Sequence, residues 1–137
     1  MLSKYLVAFG ATFLVMFVID ALWLGVIAKD FYRTAMGDLL APEPRLGFAT
    51  IFYLMYPLGL VIFAVLPGAD AASVVRAAVL GALFGLFCYG TYDLTNLSVV
   101  RGWPLALSLV DMAWGCAVSG VSAAVGAKAL LWFANRA

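Results

Sequence analysis

Four stretches of this chain are apolar over the length needed to cross a bilayer: about Tyr5 to Ile27, about Leu46 to Leu66, Val74 to about Val100, and Pro104 to about Phe133. A crossing helix needs roughly 20 such residues. Inside hydrocarbon the backbone has no water to bond to, and a helix satisfies its own N–H and C=O groups within one segment. Composition agrees, with 66% hydrophobic and 11% charged residues where a soluble domain averages about a quarter charged. The 137 residues leave room for four spans, short connections and little else. The expected fold is an all-α integral membrane protein: one domain over residues 1–137, a four-helix up-down bundle with a short amphipathic interfacial helix between spans one and two. A net charge of +1 supplies no basic face, so nucleic acid is excluded as a partner and the lipid bilayer is the expected one.

Local signals place the boundaries. The apolar run of span one exceeds a signal-peptide core of about 7 to 15 residues and lacks a small-residue cleavage site, so it reads as a retained helix. Pro67-Gly68 is a turn dipeptide expected to stop span two. Asp70 or Ser73 can cap the start of span three. Gly102 suits the end of span three and Pro104 the first turn of span four. So tight a link makes spans three and four antiparallel neighbours. The last span is longer than a bilayer needs and is expected to tilt or emerge.

The one sizeable connection, AKDFYRTAMGDLLAPEPRLG, places Phe31, Ala35 and Leu39 at helical spacing beside Tyr32, Met36 and Leu40. Lys29, Arg33 and Asp38 stand elsewhere on the wheel, so a short amphipathic helix on the membrane surface is expected, ended by Pro42-Glu43-Pro44. It reads as a plain connector or as a lid over a site.

Depth is the informative coordinate for the polar residues. With a rise of about 1.5 Å per residue and alternating span directions, Asp20 and Asp93 each lie about two-thirds along their spans. Asp111 lies within about two turns of the start of the oppositely directed span four, and Tyr53 and Tyr56 of span two fall at the same level. Helical spacing groups them further: Tyr89, Asp93 and Asn96; Asp20 and Trp23; Tyr53, Tyr56 and Pro57; Ser108, Asp111, Gly115, Ser119 and Ser122. An aspartate at a helix centre costs about 2.5 to 3.5 kcal/mol on insertion scales, so three facing lipid would cost roughly 8 to 10 kcal/mol. They are expected to face inward around one pocket, and at least one is expected to be protonated at neutral pH, since no lysine or histidine shares their depth. The candidate ligand-binding or proton-relay residues are Asp20, Trp23, Tyr53, Tyr56, Tyr89, Tyr92, Asp93, Asn96, Arg101, Asp111 and Trp114, with Asp93 at the centre.

The segments echo one another. Asp20-Ala-Leu-Trp23 matches Asp111-Met-Ala-Trp114, and Tyr53-Leu-Met-Tyr56 matches Tyr89-Gly-Thr-Tyr92. The order across the spans is one-two-two-one, unlike a duplicated hairpin, and convergent use of one pocket accounts for it better than common ancestry. Tyr92-Asp93-Leu94-Thr95-Asn96 followed by Arg101-x-Trp103-Pro104, with Asp20-x-x-Trp23-x-Gly25 and Asp111-x-x-Trp114-Gly115, resembles a family of small four-span bacterial membrane proteins catalogued as a domain of unknown function. The resemblance covers nearly the whole chain. It implies a bacterial inner membrane and one domain, and carries no activity with it.

The inventory narrows the chemistry. Without histidine there is no histidine-ligated haem, no usual transition-metal site and no nucleophile–histidine pair. No metal ligand set, catalytic residue or cofactor is assigned. Cys88 and Cys116 read as packing residues, and Tyr5, Trp103 and Trp132 as interfacial belt residues. Gly81-x-x-x-Gly85 lets span three approach a helix of the same bundle or, in a homo-oligomer, of a second copy. Three functions fit the pocket: binding or translocation of a small cation, proton or proton-coupled substrate; enzymatic or accessory work on a lipid or isoprenoid-like ligand; or a structural, partner-binding role. Lys4, Arg76, Lys128 and Arg136 face one side, and Lys29, Arg33, Arg45 and Arg101 the other. Assigning Arg101 to the pocket tips this balance toward cytoplasmic N- and C-termini, with the pocket opening to the periplasm.

Overall fold

The computed structural model describes residues 2–136, and four helices in it are long and apolar enough to cross a membrane. The first span is α1 (Leu2–Leu22) continued by a π-helical turn, Trp23–Ile27; a short surface helix, α2 (Lys29–Met36), follows. The second span is α3 (Leu46–Leu60), a π-helical turn (Val61–Val65) and α4 (Leu66–Asp70). α5 (Val74–Val99) and α6 (Leu105–Ala134) are spans three and four. Large apolar side chains such as Leu6, Leu14, Leu54, Phe63 and Phe87 point outward, as lipid-facing surfaces require.

Two boundary expectations are corrected. Pro67-Gly68 does not stop the second span, which runs on to Asp70. Pro67 lacks an N–H and crowds the preceding turn, and the π-helical turn just before it supplies a wider one. The helix actually stops at Ala71-Ala72. Ser73 N–H bonds the Gly68 carbonyl and Ala72 N–H the Ala69 carbonyl, both at 2.9 Å, the paired bonds of a Schellman end. Ala72 takes the left-handed position there, at φ +48°, where glycine would be the usual signal. Pro104, for its part, is extended and precedes α6 rather than forming its first turn. The cap of α5 is Ser73, whose side chain accepts from Arg76 N–H at 3.1 Å, and Gly102 turns the chain at φ +76°.

Small residues set the helix rotations. Cβ atoms added at Gly81 would strike Ala123 and the Ser119 carbonyl, and at Gly85 the Gly115 carbonyl and Ser119 Oγ. The Gly81-x-x-x-Gly85 stripe therefore lies inside the bundle, against α6, and brings two backbones together as only such residues allow. Below it lies an apolar core containing Ala8, Val61, Val65, Ala77, Ala127 and Leu130. A second cluster, Met16, Tyr56, Leu60 and Val118, forms the floor beneath the polar groups. The surface helix is shorter than its sequence stripe suggests: Leu39 lies in a 3-10 turn, Gly37–Leu39, and Leu40 is extended.

Candidate functional site

Asp20 is nearly sealed, at 3% exposure. Tyr53 on the second span donates its hydroxyl to Oδ2 at 2.5 Å, and Trp114 on α6 donates its indole N–H to Oδ1 at 2.9 Å. Both oxygens thus accept from neutral donors. Trp114 in turn lies flat on Trp23, with ring centroids 4.3 Å apart. The Trp23 indole N–H donates to the Tyr32 hydroxyl at 3.3 Å, and Tyr32 donates to Asp111 Oδ1 at 2.5 Å. Burial, and then the bond to Asp111, push the Tyr32 hydroxyl above the ordinary phenol range. The surface helix is thereby fastened to the bundle interior through one side chain.

Asp93 stands in a different state. It is fully buried, its polar neighbours are Asp111, Ser108 and Trp103, and neither carboxyl oxygen has a hydrogen-bond partner. Ser108 is engaged by the Trp103 indole N–H at 3.0 Å. Deeper in the bundle Tyr56 and Ser119 share a hydrogen bond of 2.8 Å, and the Tyr89 ring covers Gly115 while meeting Tyr56 edge-on at 5.9 Å. Polar groups continue from there into the opposite half: Ser122 and Thr12 are fully buried, the former without a partner and the latter bonded to the Ala8 carbonyl at 2.7 Å.

The structure brings Asp20, Trp23, Tyr53, Tyr56, Tyr89, Asp93, Asp111 and Trp114 into one connected set. It arranges them as a chain of contacts around closed carboxylates rather than as an open chamber, and among the described residues no three acidic or thiol side chains are grouped to share a metal ion. Tyr92 is 52% exposed and packs edge-on against Trp103 at 5.6 Å, Asn96 is half-buried, and Arg101 is exposed. These three lie at the outer margin. Four participants were not among the sequence candidates. Ser108 and Ser119 share the α6 stripe with Asp111, a signal that was present. Trp103 looks like a belt residue in sequence, yet its N–H is spent inside. Tyr32 carries no signal beyond its place on an amphipathic stripe.

A groove of about 260 Å³ opens sideways between the first two spans, lined by Phe13, Phe17, Leu46, Thr50 and Tyr53 among others. Tyr53 belongs to this lining, and its hydroxyl bonds Asp20.

Residues 5–128 match the family model described as "Predicted membrane protein (DUF2177)". The chain belongs to this family. No curated protein and no solved structure matches it.

Proposed function

We propose that this protein takes up and releases a proton at Asp93, in contact with Asp111, as the coupling step for moving a small cationic solute through the bundle. One observation carries the reading: Asp93 is fully buried with both oxygens unpartnered. A scaffolding carboxyl would be tied into the hydrogen-bond network that it serves, because a half-satisfied buried network is worse than none. Asp20 and Asp111 are tied in; Asp93 is not. Leaving a buried carboxylate uncompensated costs several kcal/mol or forces it to bind a proton. Acidic groups placed inside a membrane bundle in this way are the usual means of proton coupling. The buried hydroxyls of Ser119, Ser122 and Thr12 extend polarity beyond the carboxylates and favour passage over a one-sided pocket.

Enzymatic work on a lipid is less well supported. The groove between the first two spans is lined by apolar side chains, Thr50 and Tyr53, and the Tyr53 hydroxyl is committed to Asp20, so with that bond in place the groove lining offers a lipid no free carboxyl, amine or phenol.

Infrared difference spectroscopy of the protein in lipid, titrated with alkali, tests the proposal. A protonated-carboxyl band that disappears on titration and is missing from Asp93→Asn is expected. The same titration persisting unchanged in Asp93→Asn would overturn it.

A further inference from the structure

Asp20 poses a separate problem from Asp93. Its two oxygens accept from Tyr53 and Trp114, both neutral donors, so neither bond brings a positive charge to the carboxyl. A buried carboxyl held only by neutral donors is an attractive place for a positive ligand, which would supply the counter-charge. Tyr53 both lines the groove and bonds Asp20 through its hydroxyl. The rest of the groove is aromatic and aliphatic: Phe17 stacks on Phe13 at 5.8 Å and meets Tyr53 edge-on at 5.3 Å. Aromatic faces with a carboxylate behind them are the combination that recognises organic ammonium ions, because ring quadrupoles attract a cation without requiring it to be hydrated. Arg45, the exposed basic residue at the surface end of α3, is not part of the groove lining.

We propose that the groove between the first two spans is a binding site for a lipophilic organic cation of the quaternary ammonium type. The cation enters sideways from the bilayer, rests on Phe13, Phe17 and Tyr53, and is held by the charge of Asp20. A rotation of the Tyr53 side chain, half-buried at the groove wall, exposes Asp20 to the bound cation. This names the solute class in the reading above and rests on that reading for its coupling to the proton, but not for its binding.

The test uses benzyltrimethylammonium and its neutral carbon isostere, neopentylbenzene, with the full chain in nanodiscs of zwitterionic lipid. Saturation-transfer NMR is expected to show saturable binding of the cation, preferred at least roughly tenfold over the isostere, a preference worth about 1.4 kcal/mol. Asp20→Asn should remove the preference. Phe17→Leu, a change on the lipid-facing side of α1, should weaken cation binding by roughly threefold or more while the helical circular dichroism is unchanged. Equal binding of the two ligands, a preference retained in folded Asp20→Asn, or full affinity in Phe17→Leu would each overturn the proposal. If Asp20→Asn does not fold, Phe17→Leu decides. The Asp93 carboxyl band is an independent readout: its titration can persist while cation preference is absent, or the reverse, so failure of one reading is distinguishable from failure of the other.

Discussion

Trp23 and Trp114 stack 7° from parallel at the junction of the first and last spans, and each serves the aspartate of the other's segment. Trp114 donates directly to Asp20, and Trp23 reaches Asp111 through Tyr32. The two Asp-x-x-Trp segments are therefore crossed at one place. Their likeness in sequence corresponds to a shared environment.

Trp114→Phe keeps most of the stacking surface and deletes a donor to a buried carboxylate, so it should cost about 1.5 to 3 kcal/mol. Trp23→Phe loses a longer bond between neutral groups and should cost about 1 kcal/mol or less. Unfolding of the purified variants in mixed micelles measures the order; equal losses would contradict it.

Tyr32→Phe should release the surface helix while leaving the spans intact. Hydrogen exchange across residues 29–36 is expected to rise sharply, with a global loss of about 1 to 3 kcal/mol. The phenol donates only when protonated, and its folded-state value is raised. The bond's stabilisation is thus complete below the ordinary tyrosine value of about 10 and is lost only as pH rises beyond it. Release of this helix between neutrality and pH of about 9 would count against the latch.

Asp93→Asn replaces a buried carboxyl whose oxygens have no hydrogen-bond partner. Stability in alkaline solution should rise by about 1 to 3 kcal/mol relative to wild type, and Asp93→Leu should remain folded. Thermal unfolding across pH reads both. Collapse of the Asp93→Leu bundle would mean that the carboxyl holds the helices together after all.

Glycines divide sharply by position. Gly85→Ala drives a methyl group into the Gly115 carbonyl and Ser119, and backbone cannot yield as a side chain can, so a loss of about 2 kcal/mol or more is expected. Cβ atoms at Gly10 and Gly25 meet nothing within 4 Å, and alanine there should change stability by about 0.5 kcal/mol or less. Comparing the three variants by unfolding in micelles checks the helix contact.

The amino-acid sequence by itself determined the four spans, a cap for span three at either Asp70 or Ser73, and the common depth of Asp20, Asp93 and Asp111. Each follows from local properties: apolar length against bilayer thickness, one capping side chain, and a fixed rise per residue. Tertiary structure decided which groups meet. A span apolar on almost every face has no hydrophobic stripe to fix its rotation about its own axis, so rotation is set by close approach at Gly81, Gly85 and Gly115. That rotation gives Asp20 two donors and leaves Asp93 with none. It also opens the seat that Tyr32 fills from a helix outside the bundle. The passage of the second span beyond Pro67 was hidden for a related reason: a π-helical turn accommodates the proline within a continuous helix, and the actual stop is carried by an alanine in a left-handed conformation, which no residue type announces.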